Sequence, residues 1–354
     1  MKTKEDELWM RRCLQLARCG EQGAAPNPMV GAVIVRNGKI IGEGFHACCG
    51  KAHAEVNAIA AVSHPEWLHD SCLYVSLEPC AHYGRTPPCA KLIIEKGIPE
   101  VVVGMTDPFS KVNGAGIRML REAGVKVRTG ILEDECRDLN RKFIVCQTLQ
   151  RPYVFLKWAQ SADGFLAPSV QPDGKIFVST PHTQIGVHRL RTLNRAILVG
   201  RNTAMADNPS LTARKWYGDN PLRIVFDKHG VLPAHLRLFD GSAPTLVVGE
   251  DDNEERRRQC NYTFLRVDDG SDTLSQLLAY LKDHDIQSLL VEGGRQTLDA
   301  FLQSGLWDEA QVEIGKTIFH AGVQAPCLPQ NAVLKVSQSF GHSFLHYSHI
   351  GNRP

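Results

Sequence analysis

The chain has 354 residues, of which 43% are hydrophobic and 22% charged, a composition typical of globular proteins. At roughly 150 residues per domain this length predicts two domains, and the formal net charge of +2 disfavours a dedicated nucleic-acid binder, which needs a broad basic surface. The apolar runs are far shorter than the ~18 residues of a membrane span, and residues 1–12 are charged where a signal peptide is apolar, so we expect a cytoplasmic protein without membrane contacts.

The first half of the chain is predicted to form an α/β layered domain. A helix is predicted near residues 5–18, and Asn37-Gly38 between two apolar segments predicts a β-hairpin over residues 29–45. Strands and helices then alternate, which is typical of layered α/β domains. The predicted strands are 72–77, 100–105 and 125–128, and the predicted helices are 53–62, 89–96, 117–123 and 133–147.

A second series of strands follows Arg151-Pro152 and predicts another α/β domain. Its predicted strands are 153–159, 195–200, 222–227, 245–249, 288–292, 311–319 and a final stretch near 344–350, with helices at 182–192 and 274–284. The densely charged run 250–258 is predicted to be a solvated loop or helix face. We place the boundary near residue 148, which gives domains at 1–148 and 149–354.

One group of side chains in the first domain has the composition of a catalytic zinc site. His53 and Glu55 lie at the start of a predicted helix, and Cys80 and Cys89 each follow a proline at predicted helix starts. One imidazole and two thiolates suit tetrahedral Zn²⁺ with a fourth position open for water. Glu55 lies close enough to a metal-bound water to carry its proton to a substrate nitrogen.

Two other interpretations of these residues stay open at this point. A structural zinc site would use the same ligands, although such sites usually have four cysteine or histidine ligands in close pairs. The cysteines could instead be core thiols, since eleven cysteines, an odd number, do not indicate a disulfide framework here. The spacing His-x-Glu followed by Pro-Cys-x₈-Cys favours catalysis, because a structural site has no use for Glu55. Cys48-Cys49 lies close enough to His53 in sequence to compete for zinc, but a place in the loop is the simpler interpretation.

Zinc deaminases share a His-x-Glu and Pro-Cys-x-x-Cys signature, from which this chain departs by having eight residues between the cysteines. The string from Glu78 to Cys89, EPCAHYGRTPPC, is similar to that of the bifunctional riboflavin-biosynthesis deaminase/reductase family. The strings PNPMVG at 26–31 and GFH at 44–46 continue this resemblance, which covers essentially the whole chain. It implies a cytidine-deaminase-like α/β/α layer fold for the first domain.

The resemblance also implies a reaction for the first domain, the deamination of 2,5-diamino-6-(5-phosphoribosylamino)pyrimidin-4(3H)-one. His53, Cys80 and Cys89 would hold zinc, and a zinc-bound hydroxide would attack the amino-bearing ring carbon. Glu55 would then protonate the ring nitrogen and the leaving ammonia.

By the same resemblance Asn27, His46 and Arg85 would contact the substrate, although a turn or surface role is the alternative for each. Arg85 is chemically the most natural of the three, because an arginine can pair bidentately with a phosphate. The family commonly has Asp-Pro-Asn-Pro where this chain has Phe109 after Asp107-Pro108. Any substrate contact ordinarily made by that asparagine is therefore in doubt here.

The second domain lacks the strict Gly-x-Gly-x-x-Gly fingerprint of dinucleotide-binding folds. The nearest feature is SLLVEGGR at 288–295, where a strand, two glycines and a helix start form either a phosphate cradle or a plain tight turn. The segment KWAQSADG at 157–164 is similar to the start of the family's reductase domain, which has a dihydrofolate-reductase-like fold. GRNT at 200–203 and LTAR at 211–214 continue the match in order.

The resemblance implies that the second domain uses NADPH to reduce the ribosyl group of 5-amino-6-(5-phosphoribosylamino)uracil to ribityl. Hydride would go to the sugar C1′ of the ring-opened imine or aldehyde form. The residues that would line the NADP site are Ala159, Phe177, Thr203, Asp207 and Gly294. The residues that would face the substrate are Lys175, Arg191, Leu211, Arg214 and Glu292.

Some roles in the second domain stay open. Either Lys157 or Asp207 could relay the proton that accompanies hydride transfer, and solvated surface positions are the alternative for Arg191 and Arg214. Phe177 stands where the family usually has a tryptophan, which keeps an aromatic plane but loses the indole N–H. Lys175 stands in place of a small serine, where it would lie beside the phosphate or point to solvent.

The leading hypothesis is therefore a zinc deaminase and an NADPH-dependent reductase in one chain. The alternative is a nucleic-acid-editing zinc deaminase with a non-catalytic C-terminal module, which the near-neutral charge and 7% aromatic residues disfavour. The expected partner is a small phosphoribosyl-pyrimidine rather than nucleic acid or membrane. The family further implies a homo-oligomer, either a dimer or a tetramer.

Overall fold

The computed structural model describes residues 4–81, 87–108, 114–169, 178–268, 272–329 and 332–349. The chain divides into two compact α/β units, with the division between Leu149 and Gln150, and each unit has its own sheet and apolar core. Four residues discussed above lie outside the described ranges: Arg85, Phe109, Lys175 and Phe177.

The first unit is built on one sheet, which has five strands within the described residues. Its strands are β1 (Gly31–Arg36), β2 (Lys39–Phe45), β3 (Cys72–Leu77), β4 (Glu100–Met105) and β5 (Lys126–Thr129). Its helices are α1 (Lys4–Arg18), α2 (Ala54–Ala60), α3 (Cys89–Glu95), α4 (Ala115–Glu122), α5 (Glu133–Leu139) and α6 (Arg141–Thr148), with a 3₁₀ helix at Pro65–Asp70. The strand order is β2-β1-β3-β4-β5, where β3, β4 and β5 are parallel and β1 is antiparallel to both of its neighbours.

The predicted hairpin is confirmed, and it determines where the next helix begins. Asn37-Gly38 forms the turn between β1 and β2, with positive φ at both residues, as a two-residue hairpin turn requires. Gly44 of β2 lets α2 lie directly against the strand, since a Cβ at this position would come within 2.4 Å of the backbone nitrogen of Ala58. This close packing fixes the start of α2, which is capped by His53.

The helix predicted over residues 133–147 is divided in the structure. α5 ends and α6 begins at Asn140, whose buried side chain binds the backbone of Met29 on both sides. The amide oxygen accepts from the Met29 N–H at 2.8 Å, and the amide nitrogen donates to the Met29 carbonyl at 2.9 Å. Because these partners are 111 positions apart, no local pattern indicates the break. The contact fixes the loop before β1, which carries Asn27.

The second unit is built around a larger twisted sheet with nine strands among the residues described, and a separate two-stranded ribbon. Its strands are β6 (Tyr153–Gln160), β7 (Phe165–Pro168), β8 (Ala196–Val199), β9 (Leu222–Phe226), β10 (Thr245–Gly249), β11 (Thr263–Arg266), β12 (Ser288–Val291), β13 (Glu309–Ile314), β14 (Gly322–Gln324), β15 (Ala332–Ser339) and β16 (His342–His349). Its helices are α7 (Pro181–Thr192), α8 (Arg201–Asp207), α9 (Glu254–Cys260), α10 (Thr273–Asp283) and α11 (Arg295–Ser304), with a 3₁₀ turn at Arg237–Phe239. The sheet order is β11-β10-β9-β8-β12-β6-β13-β16-β15, and β7 pairs with β14.

In the second unit one predicted strand is shorter in the structure, the edge strand β15 is not predicted from the sequence, and the charged run proves to be partly helical. The strand predicted over 311–319 is β13, which ends at Ile314 because its neighbour β6 ends at the paired residue Gln160. β15 is an edge strand with mostly exposed side chains, so it lacks the apolar alternation by which a strand is detected. The charged run at 250–258 includes the start of α9, one of the two interpretations left open.

Because β8, β12 and β6 are parallel, their carboxyl ends lie at the same end of the large sheet. In register, Val291 of β12 pairs with Leu156 of β6, so that Glu292 and Lys157 follow side by side. Gly200 directly follows β8 at the same edge. The carboxyl ends of parallel strands are where α/β folds usually bind ligands, and the pocket of this unit lies there.

Candidate active sites

The first unit brings His53, Cys80 and Cys89 into one cluster. The Nδ1 atom of His53 lies 3.7 Å from the Sγ atom of Cys80 and 3.3 Å from that of Cys89. All three ligand atoms lie within 4.8 Å of one another. Ligands at about 2.0–2.3 Å from a tetrahedral Zn²⁺ stand roughly 3.5–3.8 Å apart, so this donor set fits zinc with little rearrangement.

Local structure favours ionised sulfur at this cluster. Cys80 follows β3, while Cys89 begins α3, so the positive end of that helix dipole lies beside the sulfur atoms. The backbone N–H of Cys89 donates to the Sγ of Cys80 at 3.2 Å. Hydrogen bonding from the Cys89 thiol and from His53 holds the pKa of Cys80 well below its usual range. A thiolate is the form of cysteine that binds a metal.

Glu55 lies in the first turn of α2, buried beside the cluster. Its carboxyl group hydrogen bonds with Cys89. Burial and the negative charge of Cys80 raise the pKa of Glu55 to about 7. A carboxyl group that gains and loses a proton near neutral pH suits general acid–base chemistry.

His46 and Asn27 lie together next to the metal cluster. The ring of His46 is edge-on to that of His53, with centroids 5.4 Å apart. Its Nδ1 atom donates to the carbonyl of Ala52 at 3.1 Å, because a carbonyl can only accept. The Nε2 atom is then left to accept from the side-chain amide of Asn27 at 3.1 Å. Burial lowers the pKa of His46, which agrees with a neutral ring in this arrangement.

Glu78 is a buried residue of this site that sequence reasoning missed. Its carboxylate accepts hydrogen bonds at 2.9–3.2 Å from the backbone N–H groups of Asp107, Gly114, Gly116 and Ile117. Gly116 packs so tightly that a Cβ there would lie 1.9 Å from the carbonyl oxygen of Pro79. Glu78 thus ties the strand end that leads to Cys80 to the start of α4. The available signal was an acidic residue between a buried strand and Pro-Cys.

The cysteines outside the cluster have no metal-ligand geometry in the described part of the chain. All eleven cysteines lie within it, and none forms a disulfide. Cys48 and Cys49 are exposed and do not belong to the one group of metal-type ligands found there. Also within the described residues, no helix has the length and apolarity needed to cross a membrane.

The second unit has a pocket of about 1100 Å³ at the carboxyl edge of its sheet. This volume is at the upper end of the usual range for small-molecule sites and accommodates a dinucleotide. The predicted cofactor residues that line it are Ala159, Thr203, Asp207 and Gly294. Lys157 and Glu292 line it as well, so the structure brings together residues separated by more than a hundred positions in the chain.

The glycines of this pocket suit a bound phosphate group. Gly294 caps the N-terminus of α11, where free N–H groups and the helix dipole favour anions. A Cβ on Gly294 would lie 2.7 Å from the Oγ1 atom of Thr203, and one on Gly200 would lie 2.5 Å from that of Thr297. Glycine at both positions therefore lets the starts of α8 and α11 pack closely against each other. Three basic residues that also line the pocket are Arg201, Lys228 and Arg295.

Arg191 and Glu292 form a largely buried bidentate ion pair at this edge, with N–O distances of 3.0 and 2.7 Å. A third nitrogen of Arg191 donates to the carbonyl of Thr212, and Arg214 donates to the hydroxyl of the same threonine at 2.6 Å. His188 accepts from the backbone N–H of Arg214, and burial together with both arginines lowers its pKa to about 4. The two predicted phosphate-binding arginines thus belong to one cluster, with a neutral histidine that the sequence did not reveal.

The remaining predicted residues differ in their access to the pocket. Leu211 is buried, backbone and side chain together, in the apolar core with Val199 and Val225, so its contact with the substrate stays a prediction. Lys157 and Asp207 both line the pocket, but Lys157 is only 8% exposed whereas Asp207 lies exposed at the end of α8.

Comparison with known proteins relates both units to characterised families. The model of the cytidine and deoxycytidylate deaminase zinc-binding region matches residues 3–105, and that of the RibD C-terminal domain matches residues 152–338. The riboflavin biosynthesis protein RibD of Aquifex aeolicus is 39% identical over 322 residues, which cover 90% of this chain and 89% of that protein. This chain belongs to the RibD family.

Other RibD proteins match over nearly the whole length. RibD of Escherichia coli is 33% identical over 362 residues, with 98% of this chain and 97% of that protein covered. The crystal structure of a diaminohydroxyphosphoribosylaminopyrimidine deaminase/5-amino-6-(5-phosphoribosylamino)uracil reductase from Thermotoga maritima superimposes with a TM-score of 0.87 at 34% identity, covering 98% of this chain and 99% of that one. RibD of Acinetobacter baumannii gives a TM-score of 0.86 at 31% identity, with 98% and 99% covered.

RibD membership confirms the family resemblance derived from the motifs. The chain is a bifunctional deaminase and reductase of riboflavin biosynthesis, with a cytidine-deaminase-like domain followed by a reductase domain of the dihydrofolate-reductase-like fold. Its cofactors are zinc and NADPH, and both fit the donor set and the pocket described above. The hypothesis of a non-catalytic C-terminal module is wrong, because a reductase domain occupies that half.

Proposed function

We propose that the first unit deaminates 2,5-diamino-6-(5-phosphoribosylamino)pyrimidin-4(3H)-one and that the second reduces the ribosyl group of the product, 5-amino-6-(5-phosphoribosylamino)uracil, to ribityl. The activity named for the Thermotoga maritima relative supports both substrates. The observation that carries the proposal is that one chain holds both sites. Glu55 is a buried carboxyl group beside a zinc-type cluster, and Lys157 is a buried lysine in a pocket large enough for a dinucleotide. The product of the first reaction is then the substrate of the second.

In the first unit, three residues would bind the metal and a fourth would transfer protons. His53, Cys80 and Cys89 would hold the zinc, which would supply a Lewis acid that makes water nucleophilic near neutral pH. Glu55 would take the first proton of the attacking water to the ring nitrogen and then carry the proton of the added hydroxyl to the amino group, which leaves as ammonia. The carbon–nitrogen bond is thereby replaced by a carbonyl, and one water is consumed for each ammonia released.

Substrate contacts in the first unit are proposed for Asn27, His46 and Arg85. The bond between His46 and Asn27 supports the first two, because it presents polar groups beside the metal cluster. Because both ring nitrogens of His46 are engaged within the protein, its proposed contribution is to orient the side-chain amide of Asn27 beside the metal cluster. Arg85 would bind the phosphate, and it lies in the segment between the two cysteine ligands.

Replacement of Glu55 by glutamine tests the deamination mechanism. Glu55→Gln removes the proton carrier while keeping size and polarity, so ammonia release should fall at least about 100-fold. The protein should still contain about one zinc per chain by metal analysis, because none of the three ligands is changed. NADPH oxidation with the deaminated substrate should stay within about twofold of wild type.

Glu66→Gln is the matched control, since it removes an exposed carboxylate from the same unit. Ammonia release near the wild-type rate in Glu55→Gln would disprove the role of Glu55. Zinc-free wild-type protein, purified without chelator, would disprove the metal mechanism altogether.

In the second unit, reduction requires the sugar ring to open. The nitrogen lone pair forms a C=N bond as the C1′–O4′ bond breaks, and O4′ takes up a proton. NADPH, when bound, supplies the hydride that adds to C1′. Both Lys157 and Asp207 line the pocket, and Lys157 is the proposed proton donor because it is buried there whereas Asp207 is exposed to water. Arg191 and Arg214 are proposed to lie beside the substrate phosphate. Arg214 is the more direct candidate to bind it, because the three guanidinium nitrogens of Arg191 already donate to Glu292 and Thr212.

Two substitutions distinguish the candidate proton donors. Lys157→Met removes the donated proton, so NADPH oxidation should fall at least about 100-fold, whereas Asp207→Asn should retain it within about threefold. Thermal unfolding should show that both variants fold, and ammonia release should be unchanged in each. A larger loss in Asp207→Asn than in Lys157→Met would reverse the assignment.

The cytoplasmic location and the homo-oligomeric state stay predictions. The eleven free cysteines support a reducing compartment.

The exposed apolar side chains Leu334, Val336 and Phe340 on and beside the edge strand β15 support self-association, since such an edge is usually covered. A solution mass of at least twice 39.2 kDa is expected by light scattering, and a monomer at micromolar concentration would contradict it. We also infer that nucleic acid is not a substrate, since the net charge is only +2.

A further inference from the structure

Glu313 is a fully buried acidic residue near the C-terminal end of β13 that the reactions above leave without a role. Its relative exposure is 0%, and β13 lies inside the nine-stranded sheet of the second unit, between β6 and β16. Moving a carboxylate out of water costs several kcal/mol unless charged or hydrogen-bonding partners replace the water. The surroundings of Glu313 therefore indicate why a charge is kept there.

Both carboxylate oxygens of Glu313 are engaged by polar groups. The hydroxyl of Ser179 donates to Oε2 at 2.6 Å, and Nδ1 of His342 lies 2.7 Å from Oε1. Thr183 adds a further hydrogen bond. The Nζ atom of Lys157 lies 3.8 Å from Oε2. Although burial raises the pKa of Glu313, Lys157 and these hydrogen bonds outweigh it and hold the pKa below its usual range.

The position of Glu313 follows from strand register. β13 runs parallel to β6, with Gln311 opposite Lys157 and Glu313 opposite Ala159. Residues two apart on a strand share a face, so Glu313 lies on the face that carries Gln311 rather than with the core residues Ala310 and Val312. Lys157 is thus flanked by a carboxylate on each side, Glu292 after β12 and Glu313 on β13.

These two carboxylates are not equivalent. Both oxygens of Glu292 accept hydrogen bonds from Arg191, whereas Glu313 has no arginine partner within the described residues and forms an ion pair with Lys157. The charged groups that act on Lys157 are Glu292 after β12, Glu313 on β13 and Arg191 on α7. Burial lowers the pKa of Lys157, Arg191 lowers it further, and the two glutamates oppose this effect. Glu292 acts on Lys157 through its charge alone, whereas Glu313 acts through its charge and also contacts the ammonium group directly, with Nζ 3.8 Å from Oε2.

We propose that Glu313 is a positioning residue for the reduction: it keeps the Lys157 side chain in its ammonium form and directs it from the sheet into the pocket, while Ser179 and His342 hold the carboxylate in place. This inference rests on the proposed role of Lys157 as proton donor. In each turnover Lys157 gives one proton to O4′ of the opening sugar and regains one from solvent. Glu313 changes neither its bonds nor its charge.

The experiment compares four variants of the full chain: Glu313→Gln, Glu313→Asp, Glu309→Gln and Lys157→Met. Glutamine keeps the volume and the acceptor for Ser179 but removes the charge, whereas aspartate keeps the charge and withdraws it by one methylene. Glu309→Gln removes a carboxylate from the same strand at a position that pairs with Phe155 rather than with the lysine region. Readouts are reductase kcat and KM between pH 6 and 10, NADP⁺ affinity by fluorescence, ammonia release and thermal unfolding.

In Glu313→Gln the lysine should lose its proton at lower pH, so the alkaline limb of the reductase kcat profile should move down by about one pH unit or more. The loss in kcat should therefore grow with pH and reach about tenfold on that limb. The Asp variant should lie between Gln and wild type, and Glu309→Gln should match wild type. KM, NADP⁺ affinity and ammonia release should stay within about twofold in all three glutamate variants.

A folded Glu313→Gln variant with an unshifted pH profile would overturn the proposal. If that variant does not fold, the Asp variant decides, because a wild-type profile there would equally overturn it. Lys157→Met separates the two levels of inference. Full reductase activity in Lys157→Met would disprove the proposed role of Lys157 as proton donor, and with it the role of Glu313. Loss of activity in Lys157→Met together with unshifted Glu313 variants would leave Lys157 as donor and remove only the role of Glu313.

Discussion

Both active sites depend on an ionisable side chain that is withdrawn from water and held by specific neighbours. In the first unit, burial and the sulfur of Cys80 bring the pKa of Glu55 to about 7. In the second, burial lowers the pKa of Lys157 while two glutamates oppose that change. A proton carrier is most effective when its pKa lies near the working pH, and burial next to charged groups is the means by which a fold achieves this. The sheets, helix starts and tight glycine contacts all serve to place these neighbours.

In both units, glycines allow the close packing that positions the residues of the site. In the first, the metal ligands come from the start of α2, the loop after β3 and the start of α3, and Gly44 allows the first of these helices to pack directly on the sheet. In the second, Gly200 at the start of α8 lies against Thr297 of α11, and Gly294 at the start of α11 lies against Thr203 of α8. Close packing at glycine thus contributes to the geometry of each site. A bulkier residue at Gly44 would separate α2 from β2, and one at Gly200 or Gly294 would push the starts of α8 and α11 apart.

The sequence predicts the parts of this arrangement that have a local signature. The zinc ligands and Glu55 could be found because their spacing and residue types are rare, and the hairpin could be found because Asn37-Gly38 has strong turn preferences. The alternation of strands and helices was sufficient for the α/β class of both units. The motif resemblance then supplied the family, which the comparisons confirm.

The parts that could not be predicted depend on contacts between distant positions. Asn140 divides a helix because it binds Met29, and Glu78 binds backbone groups of a segment about thirty residues away. The commitment of Glu292 to Arg191, and the contact of Glu313 with Lys157, become visible only when the strand register is known. Periodicity can indicate that a residue lies on a strand, but it does not show which charged group faces it.

The central claim is that one chain performs both reactions in sequence, and a coupled assay tests it most directly. The purified, zinc-containing protein is given the diamino substrate and NADPH, and ammonia release and NADPH oxidation are followed together. The account predicts that one ammonia is released for each NADPH oxidised, that oxidation follows ammonia release with a lag, and that little NADPH is consumed when deamination is blocked by Glu55→Gln. NADPH oxidation that proceeds at the wild-type rate without ammonia release would contradict the account.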